Sequence, residues 1–137
     1  MFQTSKNLRK LTDEEWLSVP ESKNRYLVSN YGRVKSFAYN KAEGSILKCS
    51  IIKGFKIVSL KINKISRRVY VHKLVAEVWI PRPSNNHTKV RHLDWNLRNN
   101  HVSNLQWATL EESIQLVAEH TKLKLWILKK SPLIIQS

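Results

Sequence analysis

The chain has 137 residues, enough for one globular unit or two small modules sharing an interface, and too few for two full-sized domains. Its 24 Lys and Arg against 10 Asp and Glu give a formal net charge of +14, a balance that fits a polyanionic partner and makes nucleic acid the first candidate. No run approaches the roughly 20 apolar residues that cross a bilayer, the opening MFQTSKNLRKLTDEEW has no apolar core of a secretory signal, and the single Cys49 excludes an internal disulfide and leaves the usual zinc spacings unmet. A reducing cytoplasm and no membrane partner are therefore expected.

Thr12 stands three residues before Glu15, a capping-box spacing that predicts a short first helix with Trp16 turned inward. The stretch RYLVSNYGRVKSF then shows two β-prone runs, Tyr26 to Ser29 and Arg33 to Phe37, around Asn-Tyr-Gly, and predicts a hairpin. From Ile46 to Lys73, β-branched residues alternate with cations and predict two or three further strands with one apolar and one basic face. No acidic residue occurs between Gly44 and Ala76. So one-sided a run points to phosphate contact, with Lys48, Lys53, Lys56, Lys61, Lys64, Arg67, Arg68 and Lys73 as candidates, joined by Arg33 and Lys35 from the hairpin.

VHKLVAEVWI spaces Leu74, Val75, Val78 and Trp79 along one side of a short helix, which Pro81 and Pro83 end. Beyond the polar loop SNNHT, Lys89 to Leu93 is a predicted strand, DWNLRNNHVSN a loop of backbone-bonding side chains, and LQWA a second strand. Thr109 and Glu112 form another capping box, opening a helix that should run to about His120.

Two stretches, EEWLSVPESKNRYLVSNYGRVKSF and the combination of VHKLVAEVWIPRP with VRHLDWNLRNNHVSNLQWAT, resemble the HNH endonucleases of the homing type together with the nuclease-associated modular motif that precedes such domains. The resemblance covers roughly residues 13 to 118. It implies an α+β fold: a small N-terminal antiparallel β module over 1–68, a β-β-α core over 69–120 and a short C-terminal tail over 121–137. It also implies that His92 occupies the general-base position, that Asn104 pins the loop through backbone hydrogen bonds, that Asp94, Asn96, Asn99 and Asn100 match the polar loop, and that Trp107 is the core tryptophan before the helix.

The family's cation ligands are not matched. The position before the base is Arg91, whose guanidinium offers donors only, and the helical ligand position is Ser113, a poor ligand for a hard cation. Trp95 stands where the family has a small glycine. These departures predict no metal site and a vestigial His92, kept for packing, with Mg or Mn a cofactor only if the chain is an endonuclease after all. Arg91 either holds phosphate through its fork or pairs with Asp94 or Glu112 or faces solvent, and Arg98 joins the candidate nucleic-acid contacts. His72, His87, His101 and His120 have no ligand spacing and are expected in loop or surface roles.

The tail carries Leu123, Leu125, Trp126, Ile127, Leu128, Leu133, Ile134 and Ile135, which should pack back on the domain or dock on a partner. With the ligand positions changed, a long basic face and no helix-turn-helix pattern, the expected function is that of a non-catalytic nucleic-acid-binding protein. RNA is favoured over DNA as its partner, in a ribosome or other ribonucleoprotein alongside ribosomal proteins. An HNH nicking endonuclease acting on DNA, or a DNA-binding module, is the alternative.

Overall fold

A computed structural model describes residues 11–130. The first strands follow from alternation. In β2 (Tyr26–Ser29) Tyr26 and Val28 turn inward, and in β3 (Val34–Ser36) Val34 and Ser36 do the same. Between them Ser29 Oγ accepts from the backbone N–H of Tyr31 and of Arg33, both at 3.1 Å, and Gly32 closes the turn at φ 85°. With β1 (Trp16–Ser18) and β4 (Ser45–Ile46) they form a four-stranded antiparallel sheet in the order β1-β2-β3-β4.

The helix expected at Thr12 is not formed; the segment leads into β1. Its carboxylates go elsewhere: Glu14 is fully buried and grips Arg33, whose Nε donates to Oε2 at 2.8 Å and whose second nitrogen donates to Oε1. Asn30 takes the Glu15 N–H and donates to the Asp13 carbonyl, both at 2.9 Å, which holds the chain extended, while Asp13 sits at φ 61°, outside helical space. Long-range partners thus override a local capping signal. Trp16 is half-buried, with the Lys35 ammonium 4.3 Å from its ring centre.

A second antiparallel sheet follows, β5 (Ser50–Ile52), β6 (Phe55–Ile62) and β7 (Ile65–Tyr70). Val58 and Leu60 of β6 point into the core. The opposite face carries Ser59 and Lys61, with their partners Arg68 and Ser66 from β7. Helix α1 (Val71–Trp79) buries Val71, Leu74, Val75 and Ala76 and ends at Ile80 before the prolines, as its spacing predicts. The indole N–H of Trp79 donates to the Val28 carbonyl at 3.1 Å, which ties α1 to the first sheet.

The last unit is the expected strand, loop, strand, helix: β8 (Lys89–His92), a loop ending in a 3-10 turn at Val102–Asn104, β9 (Leu105–Ala108) and α2 (Leu110–Lys130). The capping box is formed reciprocally, Thr109 N–H to Glu112 at 3.0 Å and Glu112 N–H to Thr109 Oγ1 at 3.1 Å. Helix α2 continues past His120 to Lys130, so the start of the expected tail is helical. Leu123, Leu125, Trp126 and Ile127 on it are exposed and do not pack back on the domain; Leu133, Ile134 and Ile135 lie outside the described residues. Among the described residues no helix is long and apolar enough to cross a membrane.

Candidate nucleic-acid interface and nuclease-type site

The β8-β9 ribbon sorts its side chains by alternation. Val90 and His92 pair with Trp107 and Leu105 on the inner side, while Arg91, paired with Gln106, lies out of phase on the other. Trp107 donates its indole N–H to the Ile80 carbonyl at 2.9 Å and so fastens the ribbon to the end of α1.

On the inner side His92 is buried, and its Nε2 lies 2.7 Å from Asn100 Oδ1. An amide oxygen only accepts, so in this contact Nε2 is the donor. The His72 ring stands 5.0 Å from the His92 ring and stacks on Phe55, also at 5.0 Å; Phe55 lies 6.2 Å from His92, so the three rings form one cluster. His72 is not the loop or surface histidine expected. It is buried at the start of α1 with Nδ1 unpartnered, and its pKa is pushed down to about 4 by burial first, then by the nearby His92 and Lys73. Nothing in the local spelling VYVHK reveals this, because its neighbours come from β6 and β8.

The loop is laced by the residues expected to do so. Asp94 accepts from the Asn96 N–H at 2.8 Å and from the side chains of Asn99 at 2.8 Å and Asn104 at 2.9 Å. Asn104 accepts the Asp94 N–H at 3.0 Å and donates to the Asn99 carbonyl at 2.8 Å. Hydrogen bonds, that from Asn99 above all, hold the Asp94 carboxyl below the usual range. Trp95 sits in this loop at φ 62°, a conformation suited to the glycine it replaces. Its ring stacks on His120 of α2 with centroids 3.9 Å apart.

On the other side Arg91 borders a cleft of about 520 Å³ between ribbon and α2, with Gln106, Glu112, Gln115 and Glu119 around it. Its Nε is enclosed without a hydrogen-bond partner, and its guanidinium lies 6.0 Å from the Trp95 ring centre. Among the described residues it pairs with neither Asp94 nor Glu112: Glu112 lies 3.6 Å from His87 and caps α2. Ser113 is half-buried on α2. A divalent cation does not fit this donor set. Arg91 brings a positive charge where an oxygen ligand is needed, Asp94 is committed to the loop, and no group of three His, Cys, Asp or Glu among the described residues could hold a metal.

The predicted basic contacts do not all meet. Lys61 and Arg68 share the open face of the second sheet, and Arg68, Tyr70 and Lys73 line one shallow hollow. Tyr70 and Phe55 meet edge to face at 5.6 Å, so this face leads through Phe55 to His72 and His92. Lys48, Lys53, Lys64 and Arg98 are exposed on loops and turns. Arg33 is engaged with Glu14 and Lys35 with Trp16. Lys56 and Arg67 alternate onto the core-side face of the sheet, against the expectation that they join the basic one. Three residues escaped the sequence reading: Tyr70, Phe55, and Asn100 as the partner of His92. Only the aromatic character of the first two offered a signal.

A β-ribbon and helix framing a loop-held histidine, joined to a small antiparallel β module, define the fold of the HNH endonucleases. The chain matches the NUMOD4 motif over residues 14–61 and is homologous to HNH endonucleases of Acanthamoeba polyphaga mimivirus. It is 33% identical over 108 residues to the uncharacterized HNH endonuclease L245, covering 77% of this chain and 31% of the relative, and 38% identical over 85 residues to L247, covering 62% and 21%. It is also similar to the solved structure described as DNA binding and cleavage by the HNH homing endonuclease I-HmuI. There the TM-score is 0.67 at 28% identity, over 84% of this chain and 66% of that one. The chain thus spans less than a third of either mimivirus relative. DNA is named in the description of the solved structure, and none of these relatives supports the RNA-binding, ribosome-associated role expected from the sequence.

Proposed function

We propose that this chain binds duplex DNA in the manner of an HNH homing-endonuclease scaffold and, with Arg91 and Ser113 at the ligand positions, holds the strand without cutting it efficiently. The observation that carries the reading is the open sheet face bearing Lys61 and Arg68, beside a hollow that Arg68, Lys73 and Glu77 line, in a fold similar to that of a DNA-cleaving homing endonuclease. Exposed cations take the backbone phosphates and release counterions. Arg91 supplies fixed positive charge at the ribbon's end, beside the loop, and its fork suits phosphate oxygens.

The buried His92 with its Asn100 partner supports a second reading, a nicking endonuclease in which His92 acts as the general base. Two assays test the readings, binding for both and nicking to separate them. Fluorescence anisotropy against matched duplex DNA and hairpin RNA over a salt series should show tighter DNA binding, with a log-log slope of about −2.7 if three phosphates are contacted. Tighter RNA binding overturns both readings. Nicking of supercoiled DNA in Mg or Mn that His92→Ala abolishes establishes the second over the first.

A further inference from the structure

We infer that the β2-β3 turn of the N-terminal module positions His92, acting through Asn100, so that the module is part of the nuclease-type site as well as a neighbour of it. Three contacts converge on the loop from this turn. The Asn30 carbonyl accepts the Val102 N–H at 2.8 Å. The Tyr31 ring meets His101 edge-on with centroids 4.6 Å apart. Gly32 lies against Asn100 itself: a Cβ there would stand 2.8 Å from Asn100 Cβ and 2.9 Å from its carbonyl oxygen.

Asn100 is thereby held on both sides. It is buried, its amide oxygen faces His92 Nε2 at 2.7 Å, and its amide nitrogen is enclosed without a partner. An unsatisfied NH₂ would favour rotating or withdrawing the side chain, since a buried donor without a partner is unfavourable. The turn's backbone, packed where a side chain would otherwise be, keeps Asn100 in place despite that. Gly32 does this because it is glycine twice over, in its φ of 85° and in the space its missing side chain leaves.

The inference is tested on the free full chain, without DNA or metal, so that its failure and failure of the DNA-binding reading are separate results. The readout is the exchange of the His92 Nε2–H with water, followed by NMR of the histidine ring nitrogens. The wild type should show a protected ring N–H, and Asn100→Ala should remove the protection. Gly32→Ala should speed the exchange about tenfold, the order set by one lost hydrogen bond. Gly44→Ala is the control, because Gly44 has φ 75° but adjoins Lys35 and Phe37 rather than the loop; it should leave His92 as in the wild type. If Gly32→Ala does not fold, Tyr31→Ala, which keeps the turn's glycine, should accelerate exchange by a smaller factor. Wild-type exchange in a folded Gly32→Ala, or in Tyr31→Ala when Asn100→Ala has lost protection, overturns the inference. So does equal acceleration by Gly44→Ala.

Discussion

Residues 91 and 92 are adjacent in one strand and meet different fates. On the inner side of the ribbon His92 keeps its hydrogen-bonded partner, its aromatic neighbours and a loop laced by Asp94 and Asn104. On the outer side Arg91 faces a cleft whose donors suit no divalent cation. The contrast teaches that the two sides of this ribbon are physically separable. The inner half is embedded in the core, where loss of a partner costs stability. The outer half lies at a cleft, where substitutions are cheap.

The sharpest test rebuilds the outer side. Arg91→Asp with Ser113→Asn should give metal-dependent nicking where the wild type gives little, and adding His92→Ala should then lower the rate by on the order of 10² to 10⁴, the usual contribution of a general base. A rebuilt variant that binds DNA but nicks no faster than wild type would mean that the inner side is also out of order.

The next effect belongs to the inner side. The pKa of His72 lies at about 4 in the folded chain against 6.5 in the unfolded one, so the unfolded state takes up a proton first. The stability associated with neutral His72 is fully present above pH 6.5 and is lost as pH falls towards 4, by up to about 3 kcal/mol. Urea denaturation at pH 7 and pH 4.5 should show this loss, and His72→Phe should reduce it. Glu14 also loses stabilisation on acidification, at still lower pH. Burial opposes its charge, but the hydrogen bonds from Arg33, Leu11 and Ser29 outweigh that and lower its pKa.

A smaller change is expected at the sheet face. Lys61→Gln with Arg68→Gln should weaken DNA binding without altering His92, and flatten the salt dependence by about 1.8 in slope if each cation meets one phosphate. An unchanged slope would place the DNA on another surface. Smallest of all is Trp95→Gly. Relief of the positive φ, about 1 kcal/mol, and loss of the His120 stack, also about 1 kcal/mol, should nearly cancel in thermal denaturation.

Much of this was legible locally. The Asn-Tyr-Gly hairpin, the helix ended by prolines, the Thr109 and Glu112 cap and the strand-loop-strand-helix order all rest on short local patterns of residue type. What was not legible rests on distant partners. Glu14 left its expected helix for Arg33, and His72 left the surface for Phe55 and His92. The split of Lys56 and Arg67 from Lys61 and Arg68 depends on which face of β6 meets the core, and composition carries no such information. The length of α2 was missed because its far end buries nothing that would mark it as helix.

One buried cluster takes Tyr26, Val28 and Val34 from the first sheet, Val58 and Leu60 from the second, Val71, Leu74 and Val75 from α1 and Leu105 from β9. Calorimetry should therefore record a single melting transition. In evolutionary exchange between proteins of this fold the cut points compatible with folding would lie outside this shared interior, so that sheets and ribbon are inherited together, like the two halves of a hinge pinned by one rod.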